Sequence, residues 1–379
     1  MKRLYLFLLP ILIFSTQACR TGKRTLQKGD YDRAVEQAAK RLRNNPDSKK
    51  ARQTLPLAYD YALEYHLNEI QNAKNSDRIL KWDDVVFHYE KLNSLYSTLQ
   101  KCPACMELVK ARFYTDELTD AKMAASKVHF KEGQEEMEKK NMMAARKAYD
   151  HFLAAKRYTP QFDKIEEWLA ASLHDATLNV IIKPIGVHSR RLELSNEFFE
   201  NQIMSYASGL PYRFVRFYDE HEASNLEIEA DQVIILRFDD FVVGQTYVKE
   251  TVENVTRDSV VIGKTKNDEG AEVDVYGTAK AKVRTFHKEV TSTGLLDFQI
   301  IDAVSGATIK QRKFPGTYVW FTEWGSYNGQ EEALSDEQLD IMNHRESFPP
   351  PPQDLFIEFT RPIYGQITSE LKRFYRAHN

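Results

Sequence analysis

The stretch that decides the fold of the C-terminal half is GLLDFQIIDAVSGATIKQRKFPGTYVW, residues 294–320. Apolar, β-branched and aromatic residues lie on both sides of the segment Asp302–Gly306, whose composition is typical of a tight turn. The stretch therefore predicts a strand, a turn at Asp302–Gly306 and a returning strand.

Two long segments of alternating apolar and polar residues precede this hairpin, TYVKETVENV (246–255) and GTAKAKVRTFHKEV (277–290). They flank the turn-rich piece KNDEGAE, and the alternation predicts an extended β-ribbon at about 242–290. In the second segment Lys280, Lys282 and Arg284 share one face, which is therefore basic. Neither face of the ribbon is apolar for the ten or so residues that a lipid-facing strand needs, which argues against a membrane-inserted hairpin.

Four more segments precede the ribbon in the second half. An apolar, β-branched run is followed by an amphipathic helical pattern and two further strand patterns, an order that predicts a sheet covered by helices. These segments are TLNVIIKPIG (177–186), NEFFENQIMSYASGLP (196–211), YRFVRFYD (212–219) and DQVIILRFDDFVVG (231–244). The chain ends with a predicted helix, YGQITSELKRFYRA, after a spacer at Pro349–Pro352.

This order resembles a superfamily of envelope lipoprotein domains. The superfamily includes the curli secretion channel lipoprotein, the activator lipoprotein of penicillin-binding proteins and the N-terminal domain of the Tol-system β-propeller protein. Asp302, Ser305 and Gly306 match its strand–D-x-x-[ST]-G–strand hairpin, and the resemblance covers 177–379. It implies a binding or assembly role and supplies no catalytic residues.

The first half has a helical period instead. In GDYDRAVEQAAKRLRNNP (29–46), Asp30 is a candidate helix cap, and an apolar seam begins at Tyr31 and ends before Pro46. The offsets of Tyr31, Ala34, Ala38 and Arg41 return twice along the chain, and Leu42 extends the first apolar face. The three seams are Tyr31, Ala34, Ala38 and Leu42; Trp82, Val85, Tyr89 and Leu92; and Met142, Ala145, Tyr149 and Phe152.

Gly29, Tyr31, Ala34 and Pro46 resemble the second half of a tetratricopeptide repeat, whereas Arg41 departs from that pattern, which has a small residue there. The resemblance covers 25–176 and implies stacked helical hairpins that bind other proteins or peptides. His66 and His151 lie on these helical faces, and we predict that both are structural histidines.

The first residues have the order of an export signal. Lys2 and Arg3 precede the apolar run Leu4–Phe14, and small and polar residues lead to Cys19. A run of about 11 apolar residues is too short to span a bilayer. A small residue directly before a cysteine resembles the lipobox of bacterial lipoproteins, although Thr16 stands where that pattern prefers leucine.

The lipobox resemblance implies cleavage after a signal peptide at 1–18 and acylation of Cys19, palmitate being one such fatty acid. Residues 19–24 then form a tether. Arg20, Gly22 and Lys23 include no acidic residue of the kind that lipoprotein retention and surface-export signals use. We therefore expect a periplasm-facing anchor in the outer membrane.

Cys102 and Cys105 form a C-P-x-C pair among the helical patterns. In an oxidising compartment this spacing favours a local disulfide. A redox-active pair is an alternative, because a helix N-terminus stabilises a thiolate. A metal site is a third, but it needs two more ligands, and no second C-x-x-C or nearby histidine pair is present.

The stretch VWFTEWGSYNG (319–329) concentrates aromatic residues around Glu323. Trp320, Trp324 and Tyr327 are the candidate ligand platform, because aromatic faces bury large area at little entropic cost. The competing interpretation is a core strand that leaves the edge of the sheet.

Composition narrows the functional classes. The formal net charge of −3 offers no concentrated basic surface for nucleic acid, and 15 glycines in 379 residues make glycine-rich phosphate loops improbable. No catalytic motif with its partner residues is found. We expect no cofactor and no metal.

The sequence thus predicts an α+β protein: tetratricopeptide-like helical hairpins at 25–176, then an α/β sandwich with a long β-ribbon and a C-terminal helix at 177–379. We expect a non-catalytic, lipid-anchored adaptor or assembly factor whose partners are the membrane, through its anchor, and other envelope proteins or peptides. One alternative is a glycan- or nutrient-binding lipoprotein that uses 318–327. A thiol oxidoreductase accessory that uses Cys102 is another.

Overall fold

The computed structural model describes residues 22–186, 192–268 and 270–378. The predicted signal peptide and Cys19 lie outside the described residues. The chain divides between Ala176 and Thr177 into two compact units. The first is built from helices, and the second from one mixed five-stranded sheet with helices, so the fold class is α+β.

Eight helices occur within residues 22–176. Sequential helices pack as neighbours, and Asp30 and Asn141 cap two of them by accepting hydrogen bonds from Arg33 N and Ala144 N. The helices are α1 (Lys23–Leu26), α2 (Tyr31–Asn44), α3 (Lys49–Asn75), α4 (Lys81–Gln100), α5 (Pro103–Met106), α6 (Thr115–Met137), α7 (Met142–Tyr158) and α8 (Ile165–Ala176).

Small residues let these helices approach closely. Ala34, Ala38 and Leu42 of the first predicted seam are fully buried against α3 and α4. In the α6–α7 pair, a Cβ added at Gly133 would lie 2.6 Å from the Phe152 ring. The first unit therefore has narrow seams between helices in place of one wide core.

The second unit contains five strands in the order β2-β1-β3-β4-β5. β1 is parallel to β2 and β3, whereas β3, β4 and β5 are antiparallel neighbours. The strands are β1 (Leu178–Ile182), β2 (Val215–Asp219), β3 (Gln232–Lys266), β4 (Glu272–Asp302) and β5 (Thr308–Gly329). The helices of this unit are α9 (Glu193–Ser208), α10 (Glu220–Asn225), α11 (Asp336–Asn343) and α12 (Pro352–Tyr375).

The ribbon is longer and wider than the predicted 242–290. β3 and β4 pair continuously over 232–302, because β-bulges near Asp239 and Gly244 bend the strands without ending them. β5 adds a third strand as far as the pair Gly329–Ala281, so only the tip beyond this pair is two-stranded. The strands of the sheet and the ribbon are therefore the same strands.

The turn between β4 and β5 lies where the sequence placed it. Asp302 Oδ1 accepts hydrogen bonds from the backbone N–H and the hydroxyl of Ser305, both at 2.7 Å. Gly306 has a φ of 70°, a backbone conformation that costs glycine little. These local interactions fix the register of the two long strands.

The C-terminal helix begins at Pro352, earlier than the predicted 364. Proline is tolerated at the first helical position because the N–H there has no helical partner. Phe356, Phe359 and Ile363 of α12 are fully buried beside β4 and β5. Gly316 permits this approach, since a Cβ there would lie 2.3 Å from the Phe359 carbonyl oxygen.

Candidate functional site

Cys102 and Cys105 are joined by a disulfide, with 5.1 Å between their Cα atoms. Both side chains are fully buried in the cluster formed by α2, α3 and α4. A sulfur must be reached by an attacking thiolate before it can exchange. The burial of this disulfide therefore favours a structural role over exchange with a substrate.

The three residues of the predicted aromatic platform do not share a face. They lie in β5, where successive side chains point to opposite sides, so Trp320 and Trp324 face one way and Tyr327 the other. The Trp324 ring stacks on Phe286 with 5.3 Å between centroids, and both tryptophans are half-buried. The Tyr327 hydroxyl donates to Glu331 Oε2 at 3.1 Å.

Two strongly exposed aromatic rings of the ribbon lie outside the predicted platform. Tyr247 is 64% exposed and Phe321 is 61% exposed. Both pair with Glu289 in the register of β3, β4 and β5, so they lie on one rung of one face. Counting in twos from Tyr327 along β5 would have identified Phe321 from the sequence.

A hydrogen-bonded chain of three side chains crosses helices α2, α3 and α4. His66 Nε2 lies 2.9 Å from Asp32 Oδ1, and His66 Nδ1 lies 2.8 Å from His88 Nδ1. Both histidines are buried. We call this arrangement the first Asp–His–His relay.

The second Asp–His–His relay repeats the first in α4, α6 and α7. His129 Nε2 lies 3.1 Å from both carboxylate oxygens of Asp83, and His129 Nδ1 lies 3.0 Å from His151 Nδ1. In each relay the aspartate lies in the first turn of its helix, and the two histidines are 22 residues apart. The predicted structural histidines, His66 and His151, are thus members of two different relays.

The relays have a defined electrostatic character. Burial lowers the pKa of His88 and of His151, and the paired imidazoles His66 and His129 lower them further. Burial alone would raise the pKa of the Asp83 carboxyl, but hydrogen bonding and attraction to His129 hold it below its usual value. Two facing Nδ1 atoms share one proton, so each histidine pair carries at most one positive charge.

The relays have no metal-binding arrangement. The facing nitrogens are occupied by their mutual hydrogen bond, and no group of three or more potential ligands is assembled within the described ranges. Sequence reasoning missed the pairing because the partners are 22 to 46 residues apart on different helices.

A row of aromatic rings in ring-to-ring contact includes the buried His88 of the first relay and exposed rings on α3 and α4. The ring of Tyr31, in α2, stacks on that of Tyr61 with 5.5 Å between centroids, and it meets the ring of Tyr65 edge-on with 6.4 Å between centroids. The ring centroids of Tyr65 and His88 are 6.0 Å apart, and those of His88 and Phe87 are 5.2 Å apart. We call Tyr31, Tyr61, Tyr65, His88 and Phe87 the tyrosine strip.

The tyrosine strip is accessible and has polar groups available. Tyr61 and Tyr65 are 49% and 48% exposed, and Leu57, four residues before Tyr61 on α3, extends the strip. In the part of the chain that the structure describes, none of the three tyrosine hydroxyls has a hydrogen-bond partner. A phenol gains from a partner, so this surface is suited to a ligand that offers acceptors.

Comparisons with known proteins add little. No protein-family model and no curated protein matches the chain. Among the solved structures, the chain is similar to a crystal structure described as a neuraminyllactose-binding hemagglutinin homolog from Helicobacter pylori. The two are 13% identical over 53% of this chain and 89% of that chain, with a TM-score of 0.24. At this TM-score the likeness carries no conclusion about fold or function.

Among the helices described, none is long and apolar enough to cross a membrane.

Proposed function

We propose that this protein is a lipid-anchored envelope protein that acts as a non-catalytic adaptor or assembly factor. The observation that carries this proposal is the tyrosine strip. Its aromatic rings and free hydroxyls form an exposed contact surface on helices whose own core is already filled. Tyrosine is enriched in protein interfaces because it presents a rigid apolar ring together with a polar tip.

The two relays support the proposal that the first unit consists of tetratricopeptide-like hairpins. In each relay, an aspartate in the first turn of one helix is linked to two histidines, which lie within the two helices of a following pair. His66 and His129 are separated by the same number of residues as His88 and His151. A buried polar arrangement that recurs at a fixed spacing is expected when one helical hairpin is repeated.

The lipid anchor is supported by the sequence IFSTQACR, which ends the N-terminal apolar run. We expect the mature protein to begin at Cys19, to carry fatty acid and to face the periplasm from the outer membrane. Intact-mass measurement of the native protein tests this. An unprocessed N-terminus without fatty acid would contradict the anchor.

The adaptor role is tested by crosslinking in intact cells. A photoreactive residue at position 61 should crosslink to a discrete set of proteins, because that position lies in the strip. The matched control is position 304, where Val304 is 93% exposed in the second unit. Equal crosslinking from both positions, or turnover of a substrate by the purified protein, would contradict the proposal.

A second candidate function is glycan binding by the ribbon. It is favoured by Tyr247 and Phe321, two exposed rings on one rung with Glu289 between them. Aromatic faces beside carboxylates suit the apolar and hydroxyl surfaces of a sugar. Phe321→Ala should then abolish binding on a glycan array, whereas Phe348→Ala, which alters another exposed ring, should not.

A further inference from the structure

The surroundings of the tyrosine strip are acidic. Asp60 and Glu64 are exposed beside Tyr61 and Tyr65 on α3, and Glu69 lies one turn after Tyr65. Asp32, Glu69 and Asp84 all act electrostatically on His88 within the strip.

Asp60 and Glu64 are the carboxylates best placed to attract a partner, since Asp32 is hydrogen-bonded to His66 and Glu69 accepts a hydrogen bond from Asn72. Asp84 is paired with Arg78, but over the described ranges Asp32, Asp60, Glu64 and Glu69 have no lysine or arginine within ion-pair distance. Lys91 Nζ lies 5.3 Å from the centroid of Phe87, at one end of the strip. The charge of this surface therefore favours a basic ligand.

We propose that the tyrosine strip binds an extended, proline-rich segment of another protein that carries arginine or lysine. The inference rests on the proposed protein-binding function and names the class of partner.

The chemistry of the strip matches such a segment. A polyproline II segment has no internal hydrogen bonds, so its carbonyl oxygens can accept from the three free tyrosine hydroxyls. Proline rings pack against aromatic faces, and the preformed conformation reduces the entropy lost on binding. Arginine or lysine in the segment would pair with Asp60 and Glu64.

A helical partner fits the strip less well. An amphipathic helix needs a continuous apolar groove, and its backbone carbonyls are already hydrogen-bonded within the helix. The phenol oxygens at the centre of the contact would then be buried without partners, which costs free energy.

The inference is tested by fluorescence-anisotropy titration of the full-length protein with three labelled peptides. One alternates proline with arginine, the second has glutamate in place of arginine, and the third has glycine in place of proline. We expect the first to bind, and the other two to bind at least about tenfold more weakly. Binding of the first should also weaken with salt, because the charges are exposed.

Variants then locate the site. The double variant Tyr61→Phe/Tyr65→Phe removes only the hydroxyls and should weaken binding by about five- to tenfold. Asp60→Asn/Glu64→Gln should reduce the affinity by a similar factor and flatten the salt dependence. Tyr247→Ala, on the ribbon, is the matched control and should bind like the wild type. Circular dichroism before each titration identifies any variant that has lost its fold.

The outcomes separate this inference from the adaptor proposal. Crosslinks from position 61 without binding of the proline–arginine peptide would overturn the inference and leave the adaptor role. Binding of the peptide that is unaffected by the strip variants would also overturn it. Neutral glycans that bind at the strip, in place of the peptide, would show a different ligand class. No crosslinks from position 61 would count against the adaptor role itself.

Discussion

The two units stabilise themselves in different ways. The first unit buries polar groups between its helices, including His66, His88 and His129, alongside a disulfide. The second places large rings such as Phe298, Phe356 and Phe359 between a sheet and one long helix. The first unit also buries rings such as Phe152, but specific hydrogen bonds contribute to the alignment of its helices. In the second unit, the sheet covered by a helix provides a wide apolar space.

Removing one buried ring from each unit should have the largest effect. Phe152 contacts Phe130 and Trp168 in the first unit, and Phe359 contacts Phe356 and Phe241 in the second. Phe152→Ala and Phe359→Ala should each lower the free energy of unfolding of their own unit by about 3–5 kcal/mol.

Tryptophan fluorescence distinguishes the units in that experiment, since Trp82 and Trp168 lie in the first and Trp320 and Trp324 in the second. Denaturant titrations of variants that retain the tryptophans of one unit report on that unit. If either alanine substitution shifted both reporters equally, the two units would not be separate cores.

Replacing a closely packed glycine by alanine in each unit should have a smaller effect on stability. Gly316→Ala places a Cβ against the backbone of α12 and Ile363, and overpacking of this kind costs about 1–3 kcal/mol. Gly133→Ala meets the Phe152 ring, but alanine also favours the helix by about 1 kcal/mol, so its net cost should be lower.

Thermal unfolding of both glycine variants checks this order. Gly365→Ala is the control, because nothing lies within 4 Å of the added Cβ and the position is inside α12. It should not lower the melting temperature. A larger loss for Gly133→Ala than for Gly316→Ala would contradict the distinction between ring and backbone contacts.

Opening the disulfide should affect the first unit alone. The loop between Cys102 and Cys105 is short, so the stabilisation expected from chain entropy is about 2 kcal/mol. The Cys102→Ser/Cys105→Ser variant should lower the stability of the helical unit by roughly that amount. Reductant should produce the same shift in the wild type and none in the variant. A shift in the second unit would contradict this prediction.

Lowering the pH should change the stability of the two units in opposite directions. The lowered pKa values of His88 and His151 mean that folding favours the neutral imidazoles, so their contribution is complete above about pH 6.5 and is lost as the pH falls. In the second unit, burial raises the pKa of Glu200, so folding favours its protonated form. Its contribution therefore grows as the pH falls towards the usual glutamate range.

Unfolding of each unit between pH 7 and 5 tests these signs. The first unit should lose stability over this range, and the His88→Gln/His151→Gln variant should show a flatter pH profile. Glu200→Gln should flatten the opposite trend in the second unit. Unchanged profiles in both variants would show that other groups control the pH dependence.

Much of the fold follows from local patterns in the sequence. The helical spacing from Tyr31 to Leu42 predicts a helix, and Asp30 caps it. Alternation predicts the long strands, and the Asp302–Gly306 turn joins two of them. The predicted ribbon, at about 242–290, was too short. β-bulges continue the strands through residues that interrupt strict alternation.

The candidate sites were less predictable. Trp320 and Trp324 were grouped with Tyr327 by proximity in sequence, but the period of a strand puts Tyr327 on the other face. Tyr31 and Tyr61 are thirty residues apart and meet only because α2 packs on α3. A sequence shows which faces are apolar, but it does not specify which two helices place their rings together.

By itself, the sequence determined the helical period of the first half, the alternating period of the second and the turn that joins β4 to β5. These depend on interactions between residues a few positions apart. Only the tertiary structure decided that Asp32, His66 and His88 form a relay, and that three tyrosines lie side by side above it. Such contacts depend on how the helices align with one another, and this alignment is set by the packing of the whole seam.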